Sequence, residues 1–191
     1  MLKWLIRRKL NAFERQHGYD TSYMREVLDT DLGALLLFHR ATGLGQYRKS
    51  VPLDVYFAAQ LTASLDADCG PCTQLCVGFA LHAGVEPRQI AAIVASDEAR
   101  MSPEVALGAR FARAVIARSA DADAAREEIV RRWGPRAVLA LAFSIMNAQM
   151  YPTLKYALGH GKACTRVVVA GEAVVPRRLA PAPAPAEHSA F

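Results

Sequence analysis

Over most of its length the chain places apolar residues three and four apart, the spacing of one helix face, and only one short segment reads otherwise. A first amphipathic helix carries Trp4, Leu5, Leu10 and Phe13 and closes at Gly18. Two further helical stretches cover Ser22 to Leu28 and Leu32 to Arg40, the second stopped by Thr42-Gly43. Pro52 opens a helix to Leu65 whose buried stripe is Val55, Ala58, Ala59, Leu61 and Thr62. The next helix starts within Asp68-Cys69-Gly70-Pro71-Cys72, capped by Asp66 or Asp68, and ends at Gly84. Pro87 begins another through Ile90, Ile93 and Val94. Ser102-Pro103-Glu104 combines a capping hydroxyl, a proline at the first helical position and an early carboxylate, and leads a helix through Leu107, Phe111 and Val115. Asp121 or Asp123 opens the next, which Trp133-Gly134 ends. Pro135 then starts the most apolar helix, with Val138, Leu139, Leu141, Ala142, Ile145 and Met146. Apolar on almost every side, it is expected at the centre of the fold or of an interface, ended or kinked at Pro152. The exception to the helical pattern is Arg166 to Val175, a run that predicts a small hairpin about Gly171.

These elements predict an all-α protein, an orthogonal multi-helix bundle with one short β-hairpin near the C-terminus. Residues 1–50 read as an N-terminal helical extension and 51–165 as the helical domain that holds the cysteine pair. Residues 166–191 read as a C-terminal tail, Pro/Ala-rich and disordered after 176. With 191 residues, 52% of them hydrophobic, the chain has length enough for one domain with a substantial core. Part of its net charge of +5 sits in Lys3, Arg7, Arg8 and Lys9 and in Arg177-Arg178. No run interleaves basic with aromatic residues, which argues against a nucleic-acid partner. The first apolar stretch is broken by Arg7 and followed by no small-residue cleavage site. The longest apolar run, Ala137 to Met146, is half of the ~20 residues a bilayer span needs. The expected setting is the cytoplasm, with no membrane partner, where thiols stay reduced unless they cycle.

That setting gives weight to Asp68-Cys69-Gly70-Pro71-Cys72-Thr73-Gln74-Leu75-Cys76, which holds three of the four cysteines. On a helix, residues i, i+3 and i+7 share a face, and one turn brings Cys69 and Cys72 to disulfide distance. A CxxC pair in a reducing compartment points to redox chemistry or to a metal. At a helix start the unpaired N–H groups favour a thiolate, while Asp66 and Asp68 oppose it. The Gly70-Pro71 dipeptide is that of thioredoxins, but those place it between a strand and a helix. Here the upstream segment is an Ala-rich helix and no βαβ alternation exists. The metal reading takes Cys69, Cys72, Cys76 and either Cys164 or His82 as ligands. Against it, structural zinc sites usually bring two ligand pairs from separate loops. Cys76 by itself reads as a third redox thiol, a ligand, or a small buried residue.

The stretch from Leu53 to Gly159 resembles the carboxymuconolactone decarboxylase and alkyl hydroperoxidase D-like family. The resemblance rests on Cys69-Gly70-Pro71-Cys72 at a helix start, on Leu81-His82-Ala83-Gly84-Val85 and on Ser102-Pro103-Glu104. It also rests on the late apolar helix with Ile145-Met146-Asn147-Ala148. It implies a helical bundle of the alkyl hydroperoxidase D-like type, forming a homo-oligomer of two or more copies, with no metal and no cofactor. The cysteine pair implies the branch of thiol peroxidases and disulfide reductases rather than the decarboxylases. Substrates would be a small-molecule peroxide or disulfide, with a dithiol as reductant. Cys72 would attack the peroxide and Cys69 resolve it to a disulfide. General exchange logic makes Cys69, expected to be the more exposed, the sulfur that meets a partner.

Two positions depart from that family. Its peroxidases carry a glutamate twelve residues before the first cysteine and a histidine four residues after the second, and here those positions are Phe57 and Cys76. Asp54 and Gln60, one turn to either side of Phe57, are the nearest polar substitutes, and Asp68 and Cys76 flank the pair as further auxiliary candidates. A non-enzymatic member of the family, with buried or metal-bound cysteines, is the competing reading. His82 reads as a structural or interface residue, His160 as a loop residue able to approach the site, and Lys155 as a solvated surface charge.

Overall fold

A computed structural model of the chain describes residues 1–177. Among these it is all-α with one short hairpin: α1 (Leu2–His17), α2 (Ser22–Thr30), α3 (Leu32–Thr42), α4 (Leu53–Asp66), α5 (Gly70–His82), α6 (Pro87–Val94), α7 (Pro103–Ala117), α8 (Asp121–Trp133), α9 (Pro135–Ala157), β1 (Val167–Val169) and β2 (Glu172–Val174). Short 3-10 turns follow α3 and α6. The caps do what their chemistry suggests. The Ser102 hydroxyl accepts the Val105 amide at the start of α7, and Gly18 ends α1 in the left-handed region.

The centre of the fold is α4, not α9. Every residue of α4 from Val55 to Leu65 is buried, so the stripe expected there is instead a helix covered all round. One side of it, with Tyr56, Phe57 and Leu61, joins Val77, Ile90, Val105 and the hairpin residues Val167 and Val169. The other, with Val55, Ala59 and Ala63, packs on Leu107, Phe111, Ile129, Leu141 and Ile145. Its small residues permit this: Ala58, Ala59, Ala63 and Ser64 let neighbours come close on every side. On α9, by contrast, Ala137, Ala140, Leu141, Ser144 and Ile145 face inward, while Leu139 and Met146 stay 50% and 51% exposed.

Helix α9 also runs on through Pro152 to Ala157 rather than ending there. The proline ring is buried, which offsets the one amide it cannot supply, and the Thr153 hydroxyl donates to the Gln149 carbonyl at 2.7 Å beside it. Among the described residues α9 is the one helix that meets the length and hydropathy of a membrane span, with a mean hydropathy of 1.2 over its most apolar window, 39% of which is buried. Its apolar run is interrupted by the uncharged polar residues Ser144, Asn147 and Gln149.

The hairpin turns at Ala170-Gly171, both with positive φ (48° and 90°), the conformation a two-residue β-turn requires. Val167 pairs with Val174 and Val169 with Glu172. The side chain of Gln74 on α5 accepts the Val168 amide at 2.8 Å and donates to its carbonyl at 2.9 Å, fixing the hairpin against the cysteine helix. Beyond it the Arg177 amide donates to the Val94 carbonyl at 3.0 Å. The remainder of the predicted disordered tail, 178–191, lies outside the described residues.

Candidate functional site

Cys69 and Cys72 are joined as a disulfide at the start of α5, their Cα atoms 5.2 Å apart. Cys69 is the N-cap residue, in extended conformation, and Cys72 closes the first turn. Neither aspartate caps this helix. Asp66 is the last residue of α4, and Asp68 takes a left-handed φ of 52° that turns the chain between the helices. The Asp68 carboxylate accepts the Cys164 amide at 2.9 Å instead. Glycine between the cysteines has a local cause. A Cβ on Gly70 would lie 2.9 Å from the Ala163 carbonyl and 3.3 Å from Cys164 Cα, because residues 162–164 cross directly over the helix start. The Gly70 amide donates to the Lys162 carbonyl at 3.0 Å, and the Tyr156 hydroxyl to the Asp68 carbonyl at 2.8 Å, pinning that crossing.

This cover inverts the expected exposure of the pair. Cys69 is fully buried at 0%, while Cys72 keeps 6%, so Cys72 is the more accessible sulfur. The two sit in a cluster of their own with Tyr19 and Tyr23, flanked by Phe13, Leu75, Tyr151 and Leu154. Cys76 is not a member of that cluster, yet it stands near enough to Tyr19 and Tyr151 for its charge to bear on both. Because α5 lies on the border of two clusters, Cys76 packs towards the first core cluster, as does Cys164. Burial pushes the Cys76 thiol up to about 12, with the Ser64 hydroxyl pulling back, and it raises Cys164, with Thr73 opposing. Both shifts disfavour the thiolate in two side chains that are half-buried. Among the described residues no three His, Cys, Asp or Glu side chains group to hold an ion.

The other sequence candidates lie apart. Phe57 is buried in the first core cluster, with its ring stacked edge-on to Tyr56. Asp54 accepts the amide of Val55 at 2.8 Å, and Gln60 is buried with Oε1 unpartnered among the described residues. His82 is exposed at the end of α5. His160 does approach: its ring bonds Ser22 Oγ at 3.1 Å and Glu26 at 2.7 Å, and stands 6.4 Å from the Tyr23 ring.

The residues that complete the site are Tyr19, Tyr23 and Lys155, none of which stood out as reactive in the sequence. Tyr19 follows Gly18, which ends α1 and turns the chain so that the phenol enters beneath α5. Its hydroxyl lies 3.5 Å from Cys72 Sγ and 3.1 Å from the Tyr23 hydroxyl. Lys155, expected on the surface, is 2% exposed. Its Nζ donates to the Tyr19 hydroxyl at 3.5 Å and stands 4.5 Å and 5.0 Å from the centres of the Tyr19 and Tyr23 rings. Apolar neighbours on α9 (Tyr151 and Leu154) and Leu158 just past its end carry it inward, a pattern that signals a lysine facing the core. Burial pushes the Tyr19 phenol up to about 12 and lowers the Lys155 ammonium, which the charge of Asp20 draws back up. A groove of about 350 Å³ beside the pair is lined by Tyr19, Gly70, Pro71, Leu75, Lys162 and Arg166.

Compared with protein-family models, with curated proteins and with solved structures, the chain shows no match.

Proposed function

We propose that the protein is a thiol–disulfide oxidoreductase or thiol peroxidase that cycles Cys69 and Cys72 between dithiol and disulfide. The observation that carries this reading is the CxxC disulfide at the N-terminus of α5, with a tyrosine hydroxyl 3.5 Å from Cys72 Sγ. A helix start favours thiolate, and a phenol within reach supplies the hydrogen bond that a thiolate accepts. Cys72, the sulfur with residual exposure and a polar neighbour, reacts with a small peroxide or disulfide. Cys69 resolves the product, and a dithiol reduces the pair again. These are the roles that the resemblance to the alkyl hydroperoxidase D-like family implies, although the family's glutamate and histidine are here Phe57 and Cys76. The reducing cytoplasm is the compartment in which such a pair turns over.

The near-complete burial of the pair favours one other reading, a non-enzymatic protein in which the disulfide is a staple. Loop-closure entropy makes a staple across so few residues worth only about 2 kcal/mol. Redox titration separates the two readings. Mass spectrometry before and after mild peroxide should show the reduced protein losing two hydrogens and gaining a Cys69–Cys72 link, reversed by a dithiol. A pair that stays oxidised in millimolar dithiothreitol under native conditions is a staple.

A second copy of the chain is the proposed partner. Leu139 and Met146 on α9, Leu36 and Leu37 on α3, and Trp4 and Leu5 on α1 leave large apolar side chains in solvent, and the family resemblance implies oligomers. Sedimentation at micromolar concentration is expected to give at least twice the 20.8 kDa of one chain. A boundary at the monomer mass rejects the oligomer.

A further inference from the structure

We propose that Tyr19 and Lys155 form a proton relay to Cys72, with Tyr19 a catalytic residue in contact with the reacting sulfur and Lys155 a positioning residue that acts through it. The inference rests on the thiol oxidoreductase reading above. It begins from Lys155, a cation almost never found this deeply buried unless something answers its charge. Among the described residues no carboxylate lies at ion-pair distance from its Nζ, and the hydrogen bond it makes goes to the Tyr19 hydroxyl. Two aromatic faces stabilise the ammonium, at 4.5 Å and 5.0 Å. That hydroxyl is also the polar group beside Cys72 Sγ. Amine, phenol and sulfur therefore form one chain of contacts, each step 3.5 Å, arriving from opposite ends of the sequence.

The charged and titratable surroundings are few. Asp20, in the turn between α1 and α2, accepts the Ser22 amide at 2.8 Å, a bond that holds its carboxyl below the usual range. Its charge favours the ammonium of Lys155, and that of Lys162 opposes it. Tyr23 from α2, Tyr151 from α9 and Cys76 from α5 face Tyr19, all with burial holding them neutral. His160 and Glu26 stand behind Tyr23, paired with each other. Burial lowers the affinity of Lys155 for its proton, which suits a group that gives one up and takes it back.

The relay balances through a full cycle. The cycle starts from the neutral amine of Lys155: in the dithiol state Cys72 passes its proton to the Tyr19 oxygen as Tyr19 passes its own to that amine, leaving a thiolate beside the ammonium that the two rings stabilise. The thiolate attacks the outer oxygen of a hydroperoxide, the O–O bond breaks, and Cys72 becomes a sulfenic acid. The departing alkoxide takes the proton back from Lys155 through Tyr19 and leaves as alcohol. The Cys69 thiol then attacks the Cys72 sulfur, and its proton leaves with the hydroxyl as water. A dithiol attacks the resulting disulfide and is itself oxidised to a disulfide, returning two electrons and two protons to the pair.

The test measures the pH dependence of Cys72 alkylation by iodoacetamide in a Cys69→Ser background, with the modified peptide located by mass spectrometry. Tyr19→Phe is expected to raise the midpoint by about one unit or more, and Lys155→Met, which acts through that hydroxyl, by as much or less, since each removes stabilisation of the thiolate. In the native cysteine background both variants should also leave the disulfide harder to reduce in a glutathione buffer, because the reduced state loses its stabilised thiolate. Tyr19→Phe deletes one oxygen and keeps the ring, so it reports even where Lys155→Met fails to fold. Midpoints equal to the parent in Tyr19→Phe, in a protein whose Cys69–Cys72 pair still cycles, overturn the relay and leave the oxidoreductase standing. A pair that does not cycle at all overturns both.

Discussion

Cys72→Ser is expected to remove oxidant consumption to the uncatalysed background, a loss of about three orders of magnitude or more. A serine hydroxyl beside Tyr19 is too weak an acid for Tyr19 and Lys155 to ionise near neutral pH, whereas a thiol needs only a modest shift. Cys69→Ser should behave differently. Its first turnover proceeds, because Cys72 and its contact with Tyr19 at 3.5 Å remain. The reaction then stalls as a sulfenic acid on Cys72 or as a disulfide between two chains. A dimedone adduct on Cys72 in Cys69→Ser, and none in Cys72→Ser, is the diagnostic pattern. Neither Cys76 nor Cys164 should substitute for the lost thiol, since burial raises both and neither belongs to the cluster of the pair. Full activity in both variants would remove the pair from the mechanism.

What could be read from the sequence divides along physical lines. Helix limits were legible wherever a terminus is set by its own neighbours: Gly18, Ser102-Pro103 and Gly134-Pro135 act within a few residues of themselves. The disulfide distance of Cys69 and Cys72 was legible for the same reason, one helical turn separating them. Burial was not, because it depends on what arrives from elsewhere. The small residues of α4 read as one buried stripe yet made it the centre, and the larger apolar residues of α9, read as the centre of the fold or of an interface, left Leu139 and Met146 in solvent. The relative exposure of the two cysteines came out reversed because the cover over Cys69 comes from residues 162–164. Lys155 and Tyr19, 136 positions apart, meet only because α9 and the α1–α2 turn close on the same helix start. Proton carriers sought near the motif are Asp54, Gln60, Asp68 and Cys76, and the structure instead brings a phenol and an amine from outside it.

Gly108→Val is expected to show the largest loss of stability, and Gly108→Ala sets the scale. Gly108 lies in α7 where that helix meets α4. A Cβ there would stand 2.7 Å from the Val55 carbonyl oxygen, 2.9 Å from Val55 Cγ1 and 3.4 Å from Ala58 Cβ. The nearest of these is backbone within a helix buried all round, so it cannot turn aside. Two effects compete in the alanine variant. Replacing glycine inside a helix gains up to about 1 kcal/mol from backbone propensity. Forcing a methyl group into a closed contact costs about 1–3 kcal/mol. The second should win, giving a net loss of about 1–2 kcal/mol, and valine, with two further methyl groups, should lose about 3 kcal/mol or more. Gly78 supplies the matched control. It sits inside α5, faces solvent, and would have nothing within 4 Å of an added Cβ, so Gly78→Ala feels the propensity alone and should gain up to about 1 kcal/mol. Urea unfolding of the three variants beside the parent reads the difference directly as shifts of the midpoint in opposite directions. Stabilisation by Gly108→Ala equal to that by Gly78→Ala would mean that α7 does not approach α4 this closely, and with it would go the reason that α4, and the cysteine helix leaning on it, holds one position.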